Sequence, residues 1–378
     1  QGLPGRDVIV AIDRLLGQAD LWRPISFSPS QTLNSLLAMT VPFAALLLGA
    51  LVKPENYPRL MYAIVTIACF SALLGLVQIL TGSSSVAYFY RITSTDSMAG
   101  LFANRNHHSF FLACAIPIIA MLLRDELMRK RKRALVRIAL VFAGVLLTVL
   151  TVLIGSRSGL VAGVVAFVVG YMVVAAAWNV RDDGGAIARV SGSTSRFGRA
   201  LFYAPPVLLV LFLGVALWQS NRTTALTRLI QEGPADDLRV SAWSTVQLMI
   251  ETFWMAGSGF GSFAQVYRIF EPDSLLRPQY FNHAHNDWAE AFLTGGLPFL
   301  LIILIAILWF GRMFVASGTR NLIKGYRGDI RLPVLVAIVL LAATSFVDYP
   351  LRVPSIQAFA ISLILLLCHP KSLRSRGD

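Results

Sequence analysis

The sequence predicts an all-α polytopic membrane protein, a helical bundle of about nine crossings that carries one long loop. Three observations predict it. Hydrophobic residues make up 56% of the 378 positions and charged residues only 14%, against roughly a quarter charged in an ordinary soluble domain. The apolar residues fall in runs close to the about 20 residues that one bilayer crossing needs. The basic residues behind the net charge of +13 gather in short stretches between those runs, where the positive-inside rule puts them, so the charge reads as topology and no nucleic-acid partner is indicated. A disordered chain, a coiled coil and a secreted disulfide scaffold are excluded by the same balance. Cys69, Cys114 and Cys368 each lie inside an apolar run and behave there as small hydrophobes.

The apolar runs are 31–52, 59–80, 109–123, 138–154, 158–178, 201–219, 296–316, 332–347 and 353–369. Between the third and fourth stand Arg124, Arg129, Lys130, Arg131, Lys132, Arg133 and Arg137 against Asp125 and Glu126 only, which fixes that loop in the cytoplasm. Alternation then puts Arg181, Arg189, Arg196 and Arg199 inside, followed by Arg320, Lys324, Arg327 and Arg331, and the tail with Lys371, Arg374 and Arg376. The independent segments agree. On the outer side fall residues 1–30 and 81–108, the minimal turn Gly155-Ser156-Arg157, the long loop 220–294, and Asp348 to Arg352. Segment 1–30 has neither a signal peptide nor a preceding crossing to export it, so the chain is expected to be truncated at its N-terminus, with an odd number of crossings missing. Residues 1–378 are expected to form a single transmembrane helical domain. The Gly-, Ser- and Arg-rich segment 179–200 reads as a flexible inner loop.

Polar residues gather on the outer side. Of the five histidines, His107 and His108 lie in Asn104-Arg105-Asn106-His107-His108 and His283 and His285 lie in His283-Ala284-His285-Asn286-Asp287-Trp288-Ala289-Glu290. Polar residues at the mouth of a helix can simply cap it or bind water. The second cluster holds more titratable chemistry than a cap requires; the first, which opens a crossing at Ser109, fits either reading. Arg157 stands where two apolar runs meet with almost no loop, at or just below the membrane surface, where an ionisable group marks function unless it snorkels to lipid phosphate.

Within the long loop the spacing predicts a helix from about Asp237 to Met255, with Val240, Trp243, Val246, Gln247, Ile250, Phe253 and Trp254 on its apolar face and Asp236 or Asp237 as N-cap. Arg239 falls in its first turn, where the helix dipole disfavours a cation, so a compensating anion is expected. The helix stops at Gly257-Ser258-Gly259-Phe260-Gly261-Ser262, a stop and tight turn; no strand precedes it, so it is not a nucleotide fingerprint.

These motifs together resemble the O-antigen ligase and polymerase family of bacterial glycan-assembly proteins. The resemblance rests on Gly155-Ser156-Arg157-Ser158-Gly159, the stretch from Arg239 to Trp243 with its Gly257-to-Gly261 stop, His283-Ala284-His285-Asn286-Asp287, and Gly295-Gly296-Leu297-Pro298, over roughly residues 90–350. His285, Asn286 and Gly296 meet the ligase spacing, and Phe299 stands where that pattern commonly has Gly. The resemblance implies a C-type glycosyltransferase-like helical bundle in the bacterial inner membrane, with a periplasmic loop at 220–294 carrying the active site. It implies an undecaprenyl-diphosphate-linked glycan as donor and a glycan, a lipid A core or a protein as acceptor, in polysaccharide biosynthesis.

The residue chemistry fits that implication. A lipid diphosphate needs cations with phosphate-matching geometry, and Arg157 and Arg239 are the candidates. An acceptor hydroxyl must lose a proton as it attacks the anomeric carbon, and imidazole is the usual base at neutral pH. His285 is the candidate base, with Asn286 or Glu290 orienting substrate or ring, and His283, Arg105 and His107 as further substrate-binding candidates. Arginines that stabilise the departing diphosphate would make a metal or other cofactor unnecessary. Two readings compete. His283, His285 and Asp287 have an HxHxD spacing that suits a metal-dependent lipid-diphosphate hydrolase, although Trp288 takes the place of that motif's last His. A glycan transporter or flippase would use the same number of crossings, but its site is usually near the midplane and not gathered on one face.

Overall fold

A computed structural model describes residues 3–18, 21–90, 93–95, 97–129, 133–183, 204, 206–207, 238–276, 281–316 and 331–368. Among these every regular element is helical: α1 (Asp7–Leu15), α2 (Pro29–Ala38), α3 (Thr40–Ala50), α4 (Tyr57–Thr81), α5 (Arg105–Met128), α6 (Ala134–Leu153), α7 (Arg157–Asp183), α8 (Leu238–Ser241), α9 (Trp243–Phe253), α10 (Phe263–Phe270), α11 (Asp287–Ala316), α12 (Arg331–Thr344) and α13 (Pro354–Cys368), with short 3₁₀ turns between. Each expected crossing falls on helix except 201–219, most of which lies outside the described residues, as do most of segment 179–200, the expected N-caps Asp236 and Asp237, and the C-terminal tail. Five helical stretches among the described residues are long and apolar enough to cross a membrane, and Leu332–Thr344 and Pro354–Cys368 are shorter apolar helices. The protein is a multi-pass, all-α membrane protein. It divides into two compact units, Gln1–Leu47 with Glu232–Ser317 and Ser345–Ile361, and Leu48–Gln231 with Gly318–Thr344 and Ser362–Asp378.

The second unit is built on α5. This helix is buried without interruption from His107 to Leu122, because α4, α6, α7 and α12 all pack on it, and an apolar helix needs partners on every side. Gly159 and Gly170 let α7 approach closely, the first against Ser109 and the second against Ala120 and Ile116. The Asn104 cluster resolves into capping and core. Asn104 Oδ1 accepts the Asn106 N–H at 2.8 Å, and the fully buried His108 ring lies 2.8 Å through Nδ1 from the Met98 carbonyl and stacks on Phe102. At the other end of α5, buried Glu126 is faced by Arg129 at 3.3 Å and Arg133 at 4.0 Å, so part of the basic loop also closes over a carboxylate.

The first unit has an aromatic core made of Ala242, Val246, Met249 and Phe253, of Phe263, Val266 and Tyr267 from α10, and of Phe281, Ala284 and Leu293. A buried Phe contributes on the order of 2 kcal/mol; three lie here, Phe253, Phe263 and Phe281, and the partly buried Phe270 packs against Phe253. The expected outer-loop helix exists, interrupted only at Ala242 between α8 and α9. Its buried stripe differs from the expected one: Ala242, Val246, Met249 and Phe253 follow the helical repeat inward, while Val240, Trp243, Gln247 and Trp254 are exposed. The two glycine motifs turn out to be halves of one joint. Gly257 and Gly296 have φ of 70° and 61°, and a side chain on either would run into the backbone of the other's strand of chain, Gly257 against Thr294 and Gly296 against Gly257 itself. Hydrogen bonds from Ser258 N to Leu293 O and Leu297 N to Trp254 O close the joint at 3.0 and 2.8 Å, and they kink α11 at Gly296. Arg6 pins it from the N-terminal side, donating to Gly257 O at 3.0 Å and to Ile25 O with its guanidinium over the Phe27 ring; burial holds its pKa below the ordinary arginine value.

Candidate active site

The aromatic core aims the two histidines. Phe281 and Ala284 are buried in it, while the neighbours of Ala284 along the chain, His283 and His285, remain partly exposed. His285 has φ of 50°, the left-handed region that non-glycine residues enter only when their surroundings hold them there. Its ring contacts do so: Phe281 lies 5.4 Å away and Tyr349 4.9 Å, between centroids. Asn286 then opens α11, its Oδ1 accepting the Ala289 N–H at 3.0 Å.

A second segment, residues 345–352, straps across this motif. Asp287 N donates to Ser345 O at 2.8 Å, Leu351 N donates to Asp287 Oδ2 at 2.9 Å, and Tyr349 lays its ring 4.3 Å from that of His283. Asp348 Oδ1 accepts the Tyr349 N–H at 3.0 Å and stands 3.3 Å from His285 Nδ1. Glu290 makes the matching contact on the other imidazole, with Oε1 at 3.0 Å from His283 Nδ1, while Oε2 accepts the Ala284 N–H at 2.9 Å. Arg352 bridges Asp287 and Glu290, at 3.5 Å to each.

The outcome is an acid floor under a basic rim. The side chains of Asp287, Glu290 and Asp348 are 5%, 1% and 0% exposed, whereas those of His283, His285 and Arg352 are 29%, 17% and 22% exposed. A buried carboxylate is costly unless it is paired and hydrogen-bonded, and each of these is. In the other direction, a carboxylate that accepts an Nδ1–H fixes the imidazole tautomer and leaves Nε2 as the outward proton acceptor. The geometry therefore supplies oriented bases at a protected surface.

The sequence-predicted residues divide between the units. His283, His285, Asn286, Glu290 and Arg239 are in the first. Arg239 Nη1 donates to the Val347 carbonyl at 2.9 Å, a neutral acceptor, where a compensating anion was expected. The His285 ring faces Asp348, while Asn286 accepts the Ala289 N–H and the buried Glu290 contacts the His283 ring and the Ala284 N–H. Glu290 is 1% exposed and lies against His283, the Ala284 N–H and Arg352. Arg157, Arg105 and His107 are in the second unit. Arg157 is the half-buried first residue of α7, entered through Gly155 at φ of 80°; Arg105 is half-buried in the first turn of α5, and His107 is buried. Sequence reasoning missed Asp348, Tyr349 and Arg352. The available signal was an acid and an arginine four residues apart in a five-residue connection between two apolar runs.

The metal-ligand spacing does not close round a point. Asp287 is engaged by Leu351 and Arg352, the two Nδ1 atoms face different carboxylates, and among the described residues no three His, Cys, Asp or Glu side chains form a group that suits a metal ion.

The family model described as O-Antigen ligase matches residues 142–304. Those residues belong to the O-antigen ligase family. No curated protein matches the chain. The O-antigen ligase segment contains Arg157, Arg239, His283, His285, Asn286 and Glu290, and it ends before Asp348 and Arg352. With it come a glycan-transfer role in O-antigen or polysaccharide assembly and a glycan substrate at a membrane.

Proposed function

We propose that this protein transfers a glycan from an undecaprenyl-diphosphate carrier to an acceptor hydroxyl at the periplasmic face of the bacterial inner membrane. The observation that carries the reading is the His285 and Asp348 pair, a partly exposed imidazole whose Nδ1 faces a fully buried carboxylate at 3.3 Å. Asp348 accepts the Nδ1–H and fixes the ring, and His285 Nε2 takes the proton of the acceptor hydroxyl. The acceptor oxygen then forms its bond to the anomeric carbon as the bond from that carbon to the phosphate oxygen breaks, and the electron pair leaves on the diphosphate. Arginine forks offset that charge, with Arg239 and Arg157 in this role. The division of the two Nδ1 atoms between separate carboxylates supports chemistry without a metal cofactor, with protons handled by side chains alone.

Purified protein in liposomes, given radiolabelled undecaprenyl-diphosphate-linked glycan together with lipid A core or further carrier-linked glycan, tests the reading with and without EDTA. Label in a polymer or a lipid A conjugate, undiminished by EDTA, is the expected result. Release of free phosphate alone, or loss of transfer on chelation with recovery on adding zinc, would replace it with the metal-dependent hydrolase reading, and labelled lipid unchanged in structure would leave only transport.

A further inference from the structure

The outward edge of Arg352 has no part in the steps above. Its Nε and Nη2 atoms lie 3.5 Å from Asp287 Oδ1 and 3.5 Å from Glu290 Oε1, so one edge of the guanidinium fork is turned down onto buried acids. The opposite edge, with Nη1, makes no hydrogen bond or ion pair to any described residue, and the side chain is 22% exposed. Glu290 Oε1 is shared between Arg352 Nη2 and His283 Nδ1, which sets the guanidinium and the His283 ring side by side on one carboxylate. Tyr349 in turn packs against both His283 and His285, at 4.3 and 4.9 Å between centroids. The free edge of Arg352 and the proposed base are thus parts of one continuous surface.

Charge decides what that edge can hold. With Asp287 and Glu290 ionised, the acids under Arg352 carry two negative charges against its one positive charge, and the His283 imidazole beside it adds zero or one. At this end of the site, away from Arg239, the sum is −1 or zero. A diphosphate gains nothing from such a surface, because like charges at this separation repel and a neutral cluster offers no net attraction. A hydroxyl group is not subject to that penalty. Arg352 is still a hydrogen-bond donor through Nη1, and His283, with Nδ1–H directed to Glu290, presents Nε2 as an acceptor. One donor next to one acceptor matches two neighbouring hydroxyls of a sugar ring, the first accepting and the second donating.

We infer that Arg352 and His283 form the subsite for the acceptor, holding hydroxyls next to the one that His285 deprotonates, and that the acceptor sugar entering it is uncharged. The inference rests on the glycan-transfer reading and says which substrate this surface receives. Two variants separate it from a merely supporting role. Arg352→Lys keeps a positive charge over the acids but has no outward Nη1. Arg352→Gln combined with Asp287→Asn removes the counter-ion together with one of the acids it covers.

In liposomes carrying the full chain, initial transfer rates are measured against acceptor at saturating donor and against donor at saturating acceptor. The acceptor is lipid A core or a short-prenyl analogue of the lipid-linked glycan. Both variants are expected to raise the acceptor KM about tenfold, the usual worth of one lost hydrogen bond near a charged group, while the donor KM, donor binding and kcat stay within about twofold. A raised donor KM with an unchanged acceptor KM would make Arg352 a phosphate grip and overturn the inference. A fall in kcat alone, with neither KM moved, would reduce it to structural support and overturn it equally. Equal use of an acceptor phosphorylated on the reacting sugar contradicts the charge argument. Absence of any transfer by the wild type would be a different failure, that of the glycan-transfer reading itself.

Discussion

Replacing Asp348 with asparagine changes one charge and almost no volume, so it isolates what the carboxylate does for His285. The side chain is fully buried, its Oδ1 accepts the Tyr349 N–H at 3.0 Å, and the same atom lies 3.3 Å from His285 Nδ1. An amide oxygen can keep the first contact but cannot stabilise the imidazolium that forms as the acceptor proton is taken. A unit charge about 4 Å from another is worth about 4 kcal/mol at the effective dielectric of a protein surface, and a hydrogen bond to a charged group contributes about 1.5–3 kcal/mol net. Taking about 2–4 kcal/mol as the loss in the transition state gives a fall in kcat of roughly 30- to 1,000-fold. The donor and acceptor KM should hold, because Asp348 lies beneath the ring and out of reach of either substrate. Initial rates in liposomes at saturating donor and acceptor measure this directly, with thermal unfolding in detergent as the control for folding. A kcat for Asp348→Asn within about twofold of the wild type would refute the dyad and detach His285 from the proton.

The other predictions follow from the same site. His285→Ala should lose transfer by about 10²- to 10⁴-fold while membrane expression is kept, and His283→Ala should retain more of its kcat; the two are compared in the same rate assay. Arg157→Ala and Arg239→Ala should each weaken binding of labelled donor to purified protein, and lysine at either position should rescue only in part, since it keeps the charge but loses the planar fork. Unchanged donor binding in both alanine variants would make these arginines anchors for ordinary lipid. Gly257→Ala should destabilise the fold by about 1–3 kcal/mol, because φ there is 70° and an added methyl would strike the backbone at Thr294; a lowered midpoint of thermal unfolding in detergent checks it.

Most of the membrane architecture was legible because a crossing is a local property: the apolar runs at 59–80, 138–154 and 158–178 map directly onto α4, α6 and α7. The His283–Glu290 motif was legible for a related reason, since its titratable residues lie within a few positions of each other. What escaped was whatever pairs across distance. Asp348 lies 63 residues from His285 along the chain, and only folding reveals that it, and not the nearby Asn286 or Glu290, takes the ring. The reciprocal fit of Gly257 and Gly296 was hidden in the same way, although each was recognisable as a helix stop or entry. The face of α9 was misjudged because Trp243 and Trp254 outweigh Ala242 and Met249 in hydrophobicity, whereas burial follows the helical repeat. Arg6 carried no signal in the sequence; its role comes from the two carbonyls and the aromatic ring that surround it.

The stereochemistry at the anomeric carbon is the most direct test of a single imidazole base acting on the acceptor. One in-line displacement by the activated hydroxyl inverts that centre, whereas retention calls for another route, such as a covalent glycosyl intermediate on an enzyme carboxylate. Asp287, Glu290 and Asp348 are each at most 5% exposed, which leaves none of them open to a nucleophilic role. Proton NMR of the linkage made by the purified protein, compared with the linkage in the carrier-bound donor, reads the outcome. The account predicts inversion; a product that keeps the donor's anomeric configuration would contradict it.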